Sequence, residues 1–190
     1  DPAQANTFHA LQLLSSLGDP LYRLSNKGVL EPRLAKKLPE VSSDGLTVSI
    51  HLKENIKFHD GTNFDAYAMA FSITRFMNIG TLSYIIGDRV DSIKVPEPYL
   101  LEIKLKRPST SLTGLLTSIN LTPVSPSAYS NYQNKFLNKR FIGTGPYKLT
   151  SFGTQKQRLE PFKDYWDTPP KNKGIDFINL NNTTSLFIAL

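Results

Sequence analysis

Three features of this 190-residue chain predict an α/β fold. The clearest is a strand in which Val48, Ile50 and Leu52 share one face and Thr47, Ser49 and His51 the other, the period-two alternation of a half-buried strand. The second is a helix from about Asp65 to Met77, where Met69, Ala70, Ile73, Phe76 and Met77 recur at helical spacing. The third is a set of strand-like pieces at Tyr147–Phe152, Arg158–Phe162 and Gly174–Leu180, beyond a sharp break at Gly143-Thr144-Gly145-Pro146.

The remaining elements follow in chain order. Leu11, Leu13, Leu14 and Leu17 predict a short one-sided helix over His9–Leu17, ended by Gly18-Asp19-Pro20. A turn at Asn26-Lys27-Gly28 leads into Leu30–Val41, which reads as irregular because Pro32 and Pro39 interrupt it. Ser43-Asp44-Gly45 and Asp60-Gly61 are turn signals on either side of the alternating strand. Asp65 is placed to cap the long helix, and Phe64 and Met69 to form a hydrophobic staple at its entry. Val90, Ile93 and Val95, a turn at Glu97-Pro98, and then Leu101, Ile103 and Leu105 predict a hairpin. Leu112, Leu115, Leu116 and Ile119 predict a second short helix. Ser125-Pro126 supplies an N-cap and N1 pair for a third, reaching to about Leu137. Asn182 reads as the cap of one more helix, which a chain ending at Leu190 leaves short.

Composition narrows the function classes. The hydrophobic fraction of 39% is enough for a packed core, and the longest apolar runs, such as Tyr84-Ile85-Ile86, are too short to cross a bilayer. Asp1-Pro2 opens the chain where a leader peptide would begin, so the reading is either a cytoplasmic protein or a numbering that starts after a removed segment. With no cysteine, disulfides and thiolate zinc sites are excluded. The net charge of +6 raises the possibility of a polyanion partner. The basic residues are scattered, however, with clusters only at Lys36-Lys37 and at Lys104, Lys106 and Arg107.

Catalytic motifs are missing. His9, His51 and His59 match no metal-ligand spacing, and no G-x-S-x-G occurs. Gly143-Thr144-Gly145-Pro146 is not a phosphate loop: no G-K-[ST] follows, and Pro146 removes an N–H that a phosphate would use. Binding is therefore the leading class.

Two stretches carry a family resemblance. Gly28-Val29-Leu30-Glu31-Pro32-Arg33-Leu34-Ala35, Ser43-Asp44-Gly45-Leu46-Thr47 and Leu52-Lys53-Glu54-Asn55-Ile56-Lys57-Phe58-His59-Asp60-Gly61-Thr62 form the first. Gly143-Thr144-Gly145-Pro146-Tyr147-Lys148-Leu149, followed by Asp164-Tyr165-Trp166, forms the second. In this order they resemble the family-5 solute-binding proteins, which include oligopeptide, dipeptide and nickel-binding proteins, and Asp1-Pro2 resembles the family's L-D-P. Departures are Leu38 for a usual Trp, Asp19 for a usual Glu, and Asp65-Ala66-Tyr67-Ala68 for T-A-E-D, which loses the acidic first turn. Phe58 and Trp166 read as core positions rather than ligand platforms.

The resemblance implies a type II periplasmic binding protein fold, α/β with mixed sheets, and a chain that is an N-terminal fragment of a longer protein. Residues 1–30 and 143–190 would form part of the first ligand-binding lobe, and 31–142 a small extra domain. It implies a non-enzymatic, cofactor-free role, in which a peptide or similar small solute is captured outside the cytoplasmic membrane and delivered to an ABC transporter permease. The protein would be periplasmic or otherwise extracytoplasmic, with a lipid anchor as one option, and would have no nucleic-acid partner. The family's layout places Asn6, Thr7, Phe8 and Tyr84 at the ligand. Two alternatives stand beside this: a nickel- or haem-type carrier of the same family, for which His9 is the only histidine near the expected cleft, and a basic polyanion-binding domain.

Overall fold

The computed structural model describes residues 1–132 and 135–180. Helix α1 (Phe8–Leu17) begins at Thr7, whose Oγ1 accepts the Ala10 N–H at 3.3 Å, and it buries Leu13, Leu14 and Leu17. Strands β1 (Tyr22–Leu24) and β2 (Leu30–Pro32) then pair as a hairpin with Tyr22 opposite Pro32. The sequence pattern predicts an irregular segment here, whereas Leu30–Pro32 is a strand. Pro32 is tolerated because it closes the strand at its last residue, in a two-stranded ribbon with free edges.

The central sheet has the order β3-β4-β6-β5, built from β3 (Glu40–Val41), β4 (Thr47–His51), β5 (Val90–Glu97) and β6 (Leu100–Leu105). Val48 and Ile50 are buried as the alternation predicts, and Leu52 beyond the strand is buried too. Both Asp-Gly turns place their glycine at positive φ, Gly45 at 72° and Gly61 at 85°, a region costly for a side chain with a Cβ. The β5–β6 turn falls at Pro98-Tyr99, one residue later than predicted. Pro96 sits in the edge strand β5, within an irregularity between Lys94 and Glu97, where no ladder N–H is required.

Helix α2 (Ala66–Ile79) is capped by Asp65, which accepts the Ala68 N–H at 2.8 Å. Phe64 and Met69, the predicted staple pair, are both fully buried. The helix lies against β5 and β6, burying Met69, Ile73 and Phe76. Short helices follow at α3 (Tyr84–Gly87), α4 (Leu112–Leu115) and α5 (Pro126–Tyr129). The last is much shorter than the predicted run to Leu137. Ser125 does not cap it: its hydroxyl donates instead to Asp60 Oδ2 at 2.6 Å, so the side chain serves a turn far away in sequence.

A second sheet, β7-β8-β9, comprises β7 (Tyr147–Phe152), β8 (Lys156–Pro161) and β9 (Ile175–Ile178), with α1 packed on β7. All strand pairings among the described residues are antiparallel, where mixed sheets were expected. The β1–β2, β3–β4, β5–β6 and β7–β8 connections are too short for the crossover that a parallel pair needs. The helix expected after Asn182 lies outside the described residues. Residues 31–142 hold the central sheet and α2, and β2 runs across residue 31. One buried apolar cluster links the two parts, joining Leu17 and Leu159 to Leu34, Phe58 and Phe64.

Candidate functional site

The N-terminal segment changes character within a few residues. Pro2, Ala3 and Ala5 are buried, whereas Asn6, Thr7, Phe8 and His9 are exposed, Phe8 to 84%. The buried stretch is fixed by side chains from elsewhere in the chain. The Asp1 carboxylate accepts Arg75 Nη1 at 3.0 Å and Nη2 at 2.6 Å, together with the N–H groups of Ala3 and Leu137 at 3.0 and 2.8 Å. The pair is sealed from water, with the side chains 0% and 2% exposed. Such a pair holds its geometry because removing either partner strands a buried charge. Arg75 also donates to the Tyr132 carbonyl at 2.8 Å, and its guanidinium stacks over the Tyr129 ring. The Asn120 amide donates to the carbonyls of Pro2 and Ala5 at 2.8 and 2.7 Å, and Thr81 N–H donates to the Ala3 carbonyl at 2.9 Å.

Beside the exposed residues lies a recess of about 300 Å³. Leu13, Leu14, Leu149 and Phe152 supply apolar wall, with Asn6 and Arg140 as polar lining. An apolar hollow with a few polar groups is the usual form of a small-molecule site. Of the residues expected at the ligand, Asn6 lines this recess, Thr7 caps α1 and Phe8 projects from the first turn of that helix. Tyr84 is 60% exposed at the start of α3. Among the described residues, no hydrogen bond or ring contact joins it to Asn6–Phe8. His9 meets the Phe177 ring edge-on at 6.2 Å, and the described residues contain no group of three or more potential metal ligands.

The Gly-Thr-Gly-Pro segment is a junction. Gly145 N–H donates to the Leu17 carbonyl at 3.0 Å, and a Cβ on Gly145 would lie 2.4 Å from the Leu17 carbonyl carbon. Close backbone approach therefore explains the second glycine. His59 binds the same segment from the other side: Nδ1 accepts the Gly143 N–H at 3.3 Å, which places the ring proton on Nε2, donating to the Gly145 carbonyl at 3.0 Å. Burial pulls the His59 pKa down to about 4, so the ring is neutral. Nearby, the buried Asp19 carboxylate accepts Arg33 Nε at 2.9 Å, Trp166 Nε1 at 3.0 Å and the Tyr165 hydroxyl at 3.3 Å. Burial raises the Asp19 pKa, while the Arg33 charge and these hydrogen bonds oppose the rise. Trp166 lies under the Arg33 guanidinium at 4.6 Å and the Lys53 ammonium at 4.5 Å. The Tyr165-Trp166 motif thus ties the segment after β8 to Asp19 and Arg33.

Sequence reasoning missed Arg75, Asn120 and the pairing role of His59. Arg75 left a signal: it stands three residues beyond the buried Ser72 and seven beyond the buried Ala68, an arginine on the inward stripe of α2. Asn120 left none.

The family described as "Bacterial extracellular solute-binding proteins, family 5 Middle" matches residues 29–190. The chain belongs to this family. The glutathione-binding protein GsiB of Salmonella paratyphi A is 29% identical over 194 residues, covering 99% of this chain and 38% of that protein. This family-5 chain thus spans well under half the length of the curated relatives it matches. Among solved structures, an ABC transporter substrate-binding protein from Sinorhizobium meliloti superimposes with a TM-score of 0.86 at 26% identity, covering all of this chain and 38% of the other. The periplasmic binding protein DppA from Helicobacter pylori, in complex with the peptide STSA, gives 0.87 at 23% identity, over all of this chain and 42% of the other. The latter likeness establishes the fold, that of the periplasmic binding proteins. Among the described residues no helix is long and apolar enough to cross a membrane.

Proposed function

We propose that this chain forms part of the substrate-binding component of an ABC importer, which captures a peptide or similar small solute outside the cytoplasmic membrane and hands it to a permease. The observation that carries the reading is the match to the solute-binding family over residues 29–190, joined to an exposed Asn6–Phe8 segment beside an apolar recess. In this proposal residues 1–30 and 143–190 contribute to the first ligand-binding lobe, and 31–142 form the small extra domain. Asn6, Thr7 and Phe8 contact the solute, and Tyr84 lies on the same wall. No catalysis and no cofactor are involved. Attachment to the membrane, where it occurs, is through a lipid on the longer polypeptide.

An extended peptide bound through its backbone between two closing lobes would be held largely independently of its side chains, leaving pockets such as the recess to select among them. Glutathione, the ligand named for GsiB, and short peptides are the first solutes to try. Native mass spectrometry of the full-length protein, purified without denaturation, tests the proposal. A peptide or comparable small solute should be retained in near-stoichiometric amount. Retention of nucleic acid, or a protein that takes up neither glutathione nor any member of a tripeptide library, would contradict it.

A further inference from the structure

We propose that Arg75 and Asn120, both within 31–142, are positioning residues that set the solute-contacting Asn6–Phe8 segment from behind, so that the small domain acts on binding without touching the solute. The inference rests on the reading that Asn6–Phe8 meets the solute.

The geometry is specific. Asn120 is 8% exposed, and the two hydrogens of its amide go to the carbonyls of Pro2 and Ala5. Those carbonyls bracket a turn that the Ala5 N–H closes onto the Pro2 carbonyl at 3.3 Å. The Asn120 Oδ1 accepts the Ser118 hydroxyl at 3.3 Å, which fixes which way the amide faces. Arg75 holds the other end of the turn in a two-pronged grip on Asp1, and is itself held by the Tyr132 and Lys135 carbonyls at 2.8 and 3.0 Å. Asn6 follows Ala5 directly, and Thr7 then starts α1. The carbonyl that Asn120 holds is therefore the last anchor before the exposed residues. Neither Arg75 nor Asn120 lines the recess beside Asn6.

This arrangement makes a kinetic claim. If the loop is held in its binding shape by buried donors, weakening them lowers the fraction of molecules competent to bind. The apparent affinity then falls by that fraction. Association slows, while dissociation from the correctly formed complex stays the same. Loss of a direct contact does the reverse.

The experiment uses the full-length protein carrying Asn120→Asp, which keeps the side-chain size but removes both donors, and Arg75→Lys, which keeps the charge but loses the fork. Asn6→Ala serves as the direct-contact control. Glutathione and a mixed tripeptide library are the probes, with stopped-flow kinetics and amide exchange as readouts. Asn120→Asp should slow association about ten-fold and leave dissociation within two-fold. It should also speed exchange at Ala3–Phe8 while amides of β4 and β6 remain protected. Arg75→Lys should shift the same quantities in the same direction. A variant that binds at the parental rate despite faster loop exchange, or whose loop exchange does not change, overturns the inference. If Asn6→Ala also leaves binding intact, or if the unsubstituted protein binds neither probe, the proposed function fails and takes this inference with it. If Asn6→Ala weakens binding and Asn120→Asp does not, the positioning role alone fails.

Discussion

The Gly143–Gly145 junction packs on the end of α1 and the Asn6–Phe8 segment forms its start, yet the two are built in opposite ways. At the junction, backbone packs on backbone. Gly145 leaves no space for a Cβ against Leu17, and both ring nitrogens of His59 are satisfied by main-chain groups. At Asn6–Phe8 the side chains are exposed, and the backbone is held from either side, by Asn120 on the Pro2 and Ala5 carbonyls and by the Thr7 cap of α1. In the proposed function, the contrast separates what the fold needs from what a solute would use. Residues of the Gly-Thr-Gly-Pro motif sit at the first, and exposed side chains sit at the second.

If that division is right, substitutions at the junction should cost stability and those at the exposed segment should not. Gly145→Ala should give the largest effect, a loss of at least about 3 kcal/mol in denaturant melts, because the new methyl meets backbone that cannot move aside. A melt unchanged by this substitution would break the comparison outright.

His59 supplies the next test through pH. The unfolded imidazole takes up its proton as pH falls through 6.5, whereas the buried ring resists until about 4. Within that window the unfolded state binds more protons, so stability rises with pH. The contribution is complete above about 6.5, is lost progressively on acidification, and is level below about 4. The full span is worth about 3 kcal/mol. Urea midpoints of the parent and of His59→Gln, taken from pH 7 to pH 4, should converge as the pH drops. Parallel curves would show that His59 is not held neutral.

Asp65→Ala lies between the two regimes, since it removes one capping bond to the Ala68 N–H. A loss of about 1 kcal/mol in the same melts is expected. At the far end, Phe8→Ala should change stability by no more than about 0.5 kcal/mol, as befits an exposed side chain. A larger drop would mean that the Phe8 ring supports the fold.

Most of the architecture was legible because it is local. The alternation through Val48, Ile50 and Leu52, the spacing of Met69, Ile73 and Phe76, and the Asp-Gly turns each carry their own period or dihedral demand. The errors arose where a distant residue decides. Ser125 has the chemistry of a helix cap, but its hydroxyl binds Asp60, 65 positions away. The β1–β2 ribbon was obscured by prolines whose effect depends on which edge of the strand is free. At the candidate site, the family resemblance pointed to Asn6–Phe8, yet nothing in the sequence announced that Asn120, 115 positions from Ala5, would hold that segment in place. The family matches at 143–149 were visible as a motif, but their cause, contact with Leu17 and His59, appears only once the chain is folded.

The most direct measurement is a calorimetric titration of the full-length protein and its Asn6→Ala/Phe8→Ala variant with glutathione and with a tripeptide library, alongside thermal melts of both. A solute-binding role centred on this segment predicts at least a ten-fold weaker affinity in the variant with a melting temperature within about 2 °C of the parent. Equal affinities, or a loss of affinity matched by a large drop in melting temperature, would contradict it.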